Sequence, residues 1–402
     1  MRIQVFAIII FFVIGILTDV LIYKQLKSKS KIRWLKYLHV GIAVIAYALM
    51  IAGPFSIGDL KGSYALQFAM WSIFLSLSVF VPKFLYALFF LISRIPALWH
   101  QKPCKPVATG GIAVGALLFC LFWWSTLVTT RQLKINEVEI ESEKIPSAFN
   151  GYRIVQFSDL HSGTYGTNTR IVANLVEEIN SLDPDLIVFT GDIVSIRTDE
   201  LLPFIEELKQ LKARDGVISI LGNHDYGDYT HWDSEAAKKA NFEQLLSLQR
   251  DSLGWTLLTN QHEYLHSGTD SLLVVGVENW GEPPFNTYGD LKAAMPKSDN
   301  YDGFTLLLSH NPKHWEMEVN KKENIDLTLS GHTHAMQAML TIGDKKYSPS
   351  ALRYDHWQGL TNDNGQLLYV NIGIGEVGIP TRIGATPEIT VFTLVTKNDR
   401  QQ

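Results

Sequence analysis

Four long apolar runs, Ile3 to Tyr23, Leu38 to Phe55, Tyr64 to Ile92 and Gly110 to Thr129, fill the N-terminal third of the chain. Each approaches or exceeds the roughly 20 residues that cross a hydrocarbon layer. No water is available there to satisfy backbone N–H and C=O groups, so such a run folds as a helix that bonds its own backbone. The first run follows Arg2 as a secretory leader would. Its apolar core is too long for one, no small-x-small cleavage site follows, and three more spans come after it, so it reads as an anchor. The third contains Pro82 and Lys83, which predicts either one kinked, tilted helix or a span followed by an interfacial helix. The expectation is an all-α membrane domain of about four helices over residues 1–130, followed by a second domain over 131–402.

The basic residues orient those spans. Lys24, Lys27, Lys29, Lys31, Arg33 and Lys36 lie between the first two, and Arg94, Lys102 and Lys105 between the third and fourth. The other side carries Arg2, Lys61, Arg131 and Lys134. The positive-inside rule then puts the first and third loops in the cytoplasm and the C-terminal domain outside it, in a multi-pass protein of a bacterial cell membrane. Asp19, near one end of the first span, is expected at the interface. A formal net charge of −5, without a basic cluster outside the loops, argues against a nucleic-acid surface. Cys104 and Cys120 both lie in the apolar third, so the second domain has neither a disulfide nor a cysteine metal site.

After the last span the pattern changes. Gln132 to Glu143 alternates apolar and polar residues and reads as an edge strand or hairpin arm. Strands are expected at 153–157, 186–190, 217–221, 272–277, 305–309, 327–330, 367–372 and 389–395. Helical patterns occupy Thr169 to Leu182, Leu201 to Lys212 and Ala236 to Leu248. Several strands are continuous apolar runs, as in sheets covered on both faces, so the domain is α/β, and ligands in such folds bind beyond the carboxyl ends of the strands.

Five polar motifs sit at those ends: Ser158-Asp159-Leu160-His161, Thr190-Gly191-Asp192, Gly222-Asn223-His224-Asp225, Ser309-His310-Asn311 and Gly331-His332-Thr333-His334. Convergent Asp, Asn and His side chains without a thiolate are what a pair of hard or borderline metal ions needs. The order of these motifs resembles the calcineurin-like metallophosphoesterase superfamily over residues 150 to 396. The tail Tyr369-Val370-Asn371-Ile372-Gly373, with Arg382 and Pro387-Glu388-Ile389, resembles its membrane-anchored branch, which holds YkuE-like phosphodiesterases and UDP-diacylglucosamine hydrolases. The resemblance implies a four-layer αββα sandwich of two mixed sheets flanked by helices.

It also implies the site. Asp159, His161 and His334 would bind one divalent metal, Asn223, His310 and His332 a second, and Asp192 would bridge them. Manganese, iron and zinc all suit these ligands. Two ions roughly 3.5–4 Å apart share a hydroxide as nucleophile and clamp the phosphate for in-line attack. His224 would face the scissile phosphate, stabilising charge and protonating the leaving oxygen, which makes Asp192, Asn223 and His224 the catalytic set. Arg382 is expected either to bind phosphate or to pair with Glu376 or Glu388, Asn311 to form a turn, and His231, His262, His266, His314 and His356 to be solvated.

Two positions depart from the family pattern. Ser195 stands where many relatives carry the acid that orients the catalytic histidine, so support for His224 is expected elsewhere, as from a backbone carbonyl. Ala335-Met336-Gln337 stands where close relatives have Gly-Gly-Gln, a change expected to alter the pocket wall. The activity implied is hydrolysis of a phosphodiester or pyrophosphate, with an amphiphilic, lipid-linked substrate of the UDP-diacylglucosamine type. A general phosphodiesterase or phosphomonoesterase at the cell envelope, a silent membrane scaffold, and a transporter with a regulatory domain are the competing readings. The insertion Tyr226 to Trp255 and the segment Trp280 to Tyr288, with Pro283, Pro284 and Phe285, are the candidate walls of an acyl-chain groove.

Overall fold

In the computed structural model, residues 2–29, 34–59, 63–282, 286–297 and 301–397 are described. The chain divides into two compact units, one of Met1–Leu60, Phe68–Leu127 and Gly378–Thr381, the other of Lys61–Gln67, Val128–Val377 and Arg382–Gln402.

The first unit is helical: α1 (Arg2–Lys29), α2 (Leu35–Asp59), α3 (Ser63–Arg94) and α4 (Lys105–Leu127). Among the described residues, Leu35–Ser56, Ser63–Trp99 and Lys105–Arg131 are long and apolar enough to cross a membrane. Of the two alternatives for the third run, the single helix is found: α3 continues through Pro82. α4 packs closely on it at Gly115, where a Cβ would stand 3.0 Å from the Pro82 carbonyl oxygen. One turn earlier, a Cβ on Gly111 would collide with Phe89. Small residues four apart let two helices approach where lipid supplies no hydrophobic drive.

Asp19 is not a free interfacial acid. Its carboxylate accepts from Tyr47 Oη of α2 at 2.8 Å and from Lys83 Nζ of α3 at 3.0 Å. His39 Nε2 lies 3.1 Å from the Asp19 carbonyl oxygen. The counter-charge is 64 residues away in sequence, which is why the acid looks unpaired on paper.

The second unit carries the strands β1 (Lys134–Ser142), β2 (Arg153–Phe157), β3 (Leu186–Phe189), β4 (Val217–Ser219), β5 (Thr256–Leu257), β6 (Gln261–Ser267), β7 (Asp270–Gly276), β8 (Thr305–Leu308), β9 (Leu327–Ser330), β10 (Leu340–Ile342), β11 (Lys345–Tyr347), β12 (Gly359–Asp363), β13 (Gln366–Val370) and β14 (Glu388–Thr396). One sheet runs β1-β14-β2-β3-β4-β5 and the other β12-β13-β9-β8-β7-β6; β10 and β11 form a separate hairpin. Both sheets are mixed, with β2, β3, β4 and β5 parallel in one and β7, β8, β9 and β13 parallel in the other. The alternating 132–143 segment is an edge strand, paired in parallel with β14.

Strand periodicity makes the layers. Ile154, Leu186, Val188, Ile218 and Ile220 turn inward to meet Leu272, Val274, Leu306, Leu308 and Leu329 of the other sheet. Their neighbours Val155, Phe157, Ile187 and Phe189 turn outward onto Val172, Leu175, Val176 and Ile179 of α5 (Thr169–Ser181). On the far side, Leu273, Val275 and Leu307 meet Leu291, Trp315 and Val319. The result is the expected αββα stacking. The helix expected at 201–212 is shorter than its pattern, a 3-10 turn at Leu202–Phe204 leading into Ile205–Leu208, since Pro203 lacks the N–H a longer helix would use. Strands β5, β6 and β10 to β12 escaped the sequence reading because they are short, polar or exposed.

Candidate metal centre

All five motifs follow strands whose carboxyl ends point the same way: β2, β3 and β4 in one sheet, β8 and β9 in the other. The turns there are unusually tight. Asp159, His161, Asp192, His332 and His334 have φ of +53°, +45°, +60°, +75° and +50°. A non-glycine residue held in that left-handed region costs of order 1–3 kcal/mol and persists only where its surroundings enforce it. Glycines make the crowding possible: a Cβ on Gly222 would collide with the Asp192 carboxylate, and one on Gly331 with Ser158 Oγ and Asp159.

The seven expected ligands are brought together. His334 Nε2 lies 3.2 Å from Asp159 Oδ1 and 3.1 Å from His161 Nε2. Asp192 Oδ2 stands 3.6 Å from His161 Nε2 and 3.2 Å from His310 Nε2, between the two groups. His310 Nε2 in turn lies 3.2 Å from Asn223 Oδ1 and 3.2 Å from His332 Nδ1. Asp159, His161, Asp192 and His310 are buried completely or nearly so. Lone-pair nitrogens and carboxylate oxygens facing one another at such distances are a poor hydrogen-bonding arrangement and a good ligand set. The donor set fits divalent metal: two imidazoles and a carboxylate on one side, two imidazoles and an amide on the other, around a shared Asp192.

Two family models match the chain, a calcineurin-like phosphoesterase domain over residues 152–336 and a probable calcineurin-like phosphoesterase transmembrane domain over residues 1–129. The uncharacterized metallophosphoesterase YkuE of Bacillus subtilis is 30% identical over 308 residues, covering 72% of this chain and 95% of that protein. The chain belongs to the calcineurin-like metallophosphoesterase family. A transmembrane protein with metallophosphoesterase domain from Danio rerio is 31% identical over 271 residues, 65% of this chain and 57% of that protein. An uncharacterized metallophosphoesterase of Helicobacter pylori J99 is 29% identical over 279 residues, 69% of this chain and 68% of that protein. The chain thus spans just over half the length of its zebrafish relative and nearly all of YkuE. It is a phosphoester hydrolase of the metal-using type with a transmembrane region.

The electrostatics of this metallophosphoesterase centre are divided. Burial opposes charge on His310, but Asp192 and Asp159 outweigh it and hold the imidazole up at about 9. Burial and the neighbouring His310 push His332 down to about 3, and burial with His224 depresses His161. Against the cost of burial, His310 and His224 hold Asp192 well below the usual carboxylate range. Within the protein's own charges, the four imidazoles cannot all be satisfied alike.

His224 sits at the rim. Its backbone N–H donates to Asp192 Oδ1 at 2.8 Å, its ring stacks on Tyr229 at 4.3 Å between centroids, and Nδ1 lies 2.6 Å from the Ser195 carbonyl oxygen. A backbone carbonyl therefore takes the orienting role, and because it only accepts, it fixes the proton on Nδ1. Glu200, which sequence reasoning passed over, holds that carbonyl in place by accepting from the N–H groups of Ser195, Ile196 and Arg197 at 2.6, 3.1 and 3.2 Å. Asp225, the last residue of the Asn-His-Asp motif, staples two loops by accepting from Asp192, Ile193 and Gly222 N–H at 2.9, 2.9 and 2.8 Å. Asp225 belongs to its motif and Glu200 follows Asp192 by eight residues, a spacing that carries no signal of its role.

Several expectations are corrected. Arg382 does not face the cleft: fully buried, its charge is favoured by Glu376, it donates to the carbonyls of Ile372, Gly375 and Ala385, and its Nη2 lies 3.0 Å from His334 Nδ1. His314 is buried, 2.9 Å from Ser309 Oγ and stacked on Trp280, whereas His231 and His266 are exposed as expected. His262 and His356 are half-buried, with Nδ1 at 2.7 Å from the Ala294 carbonyl and 3.2 Å from Thr361 Oγ1. Asn311 bridges its own loop, accepting from Lys313 N–H and donating to the Trp280 carbonyl, each at 3.1 Å. Ala335 does not form pocket wall; it is buried against Ile372 and Ala385, and the departure from Gly-Gly-Gln is felt in the backbone. Ala335, Met336 and Gln337 have φ of +50°, +43° and +55°, where glycine would sit without strain.

Beside the donors opens a cavity of about 250 Å³, lined by Asn223, Tyr229, Asn279, Glu282, Arg353 and Tyr354 among others. Its wall combines polar side chains with the rings of Tyr229 and Tyr354. The 226–255 insertion covers the fold, Tyr226 stacking between Phe242 and Tyr288 at 5.0 and 3.9 Å. Pro283, Pro284 and Phe285 lie outside the described residues.

Proposed function

We propose that this protein is a membrane-anchored, dinuclear phosphoester hydrolase with a membrane domain over residues 1–130 and a catalytic domain over 131–402. Asp159, His161 and His334 hold one divalent ion, Asn223, His310 and His332 the other, and Asp192 bridges them. The observation that supports this is the meeting of seven donors from five strand ends of two sheets, each 3.1–3.6 Å from a neighbouring donor. Divalent ions bound there would supply an activated water nucleophile and neutralise phosphate charge.

The chain's own residues do the rest. Buried carboxylates balance cationic charge, while the neutral imidazoles and the Asn223 amide keep the site from becoming too negative to accept a phosphate. With the Ser195 carbonyl fixing Nδ1–H, His224 has Nε2 as the atom that gives up or takes a proton at the leaving oxygen. Arg353, at the cavity wall and 3.3 Å from Glu282, is placed to meet an anionic part of the substrate. The substrate we infer is an amphiphilic phosphodiester or pyrophosphate, supported by a membrane region of four helices where one would anchor the enzyme. The catalytic domain is inferred to face away from the cytoplasm, on the nine basic residues of the first and third loops against four opposite.

The test is hydrolysis of an aryl phosphodiester by the full-length protein with metal content measured in parallel. Two equivalents of bound metal with metal-dependent turnover are expected; full turnover in a metal-free preparation would defeat the proposal. A C-terminal reporter active only in the cytoplasm would reverse the orientation.

A further inference from the structure

The hairpin β10–β11 stands outside both sheets, and every residue in its two strands is exposed. In its register Leu340 pairs with Tyr347, Thr341 with Lys346 and Ile342 with Lys345. Side chains alternate along a strand, so Leu340, Ile342 and Tyr347 share one face with Lys345, and Thr341 and Lys346 take the other. The apolar members are 59%, 61% and 51% exposed, and Leu352, just past the hairpin, is 92% exposed. A two-stranded hairpin with an uncovered apolar face is marginal in water, and contiguous exposed apolar residues mark an interaction surface.

We propose that this face docks on the phospholipid surface of the membrane in which the protein is anchored, and that it delivers the polar end of an amphiphilic substrate to the cleft. Three observations choose lipid over a protein partner. The face combines aliphatic residues, an interfacial tyrosine and Lys345, with Lys346 beside it on the opposite face, a composition suited to acyl chains below and phosphates at the rim. The hairpin base is tied at Ala338 and Met339 to Ile383, which fixes this face to the domain that carries the donors. Both arms also lead to the donors: β10 begins six residues after His334, and β11 returns through Arg353 to Tyr354, whose Oη lies 2.9 Å from His332 Nε2. A substrate leaving the bilayer along this hairpin meets a polar cavity with phosphoester chemistry at its end. The delivery role rests on the proposed hydrolase activity; the docking does not.

The experiment uses full-length protein in phosphatidylethanolamine–phosphatidylglycerol nanodiscs, with Cys104→Ser and Cys120→Ser as background. An environment-sensitive fluorophore is placed at Ile342→Cys or, on the opposite face, at Thr341→Cys. The Ile342 label should emit at shorter wavelength and be quenched by nitroxide-bearing lipid, the Thr341 label by aqueous iodide. Equal iodide quenching at both positions, or disulfide cross-linking of Ile342→Cys between protein copies, overturns the docking. Independently, L340S/I342S/Y347S should lower turnover of an acylated phosphodiester in vesicles about tenfold while a water-soluble aryl diester is hydrolysed as before. Equal turnover of the acylated ester by wild type and variant overturns delivery. Inactivity of wild type on both esters defeats the hydrolase reading and leaves the fluorescence result standing.

Discussion

Two of the buried polar clusters among the described residues are built on opposite principles. Between the membrane helices, Asp19 meets Lys83 at 3.0 Å and Tyr47 at 2.8 Å, so an acid finds a cation and a donor from its own chain. At the strand ends, Asp159 and Asp192 are set among His161, His310, His332 and His334, whose ring nitrogens approach one another at 3.1 and 3.2 Å. The first cluster is complete as folded and its effect is to register α1, α2 and α3. The second is a concentration of lone pairs on strained backbone, the arrangement that the proposed metal ions would need. A closed pair stabilises structure; an open set spends stability on chemistry.

The largest difference between them should appear at Asp192, which belongs to both halves of the open set. Asp192→Asn is expected to lower phosphodiester turnover by about 10³-fold and to reduce bound metal, read by steady-state kinetics and elemental analysis. The matching change in the closed cluster, Asp19→Asn, should leave turnover on a soluble ester near wild type. It should cost about 3–5 kcal/mol of stability in detergent, because Lys83 is left without its counter-charge. Adding Lys83→Met should restore most of that loss in thermal unfolding, and a fall in metal content with Asp19→Asn would break the comparison.

Within the open cluster, His224 is the ring whose Nδ1 is held by the Ser195 carbonyl. His224→Ala should lower kcat by about 10²-fold with metal stoichiometry preserved, which separates proton transfer from metal binding. The smallest effect concerns strain. Met336 is exposed with φ +43°, so Met336→Gly should raise stability by about 1 kcal/mol in denaturant unfolding, whereas glycine placed within α4 should lower it by a similar amount.

The sequence by itself determined which residues could serve. Apolar runs dictated helices because a bilayer offers no other bonding for the backbone, and the Asp, Asn and His motifs announced a site because each followed a buried strand. Local chemistry of this kind is written in adjacent residues. The partners that make it work are not. Lys83 lies 64 positions from Asp19, and the Ser195 carbonyl that orients His224 carries no signature, since every residue has one. Glu200 and Asp225 look like ordinary acids until the folded loops bring these six N–H groups within their combined reach. Arg382 reads as either a phosphate ligand or the partner of an acid and proves to be a buried clamp on three carbonyls. Even the missing glycines at 335 and 336 gain meaning only from a measured φ. Those features were decided by tertiary structure, because a hydrogen bond or a backbone angle depends on what the fold places opposite a residue, not on what precedes it in the chain.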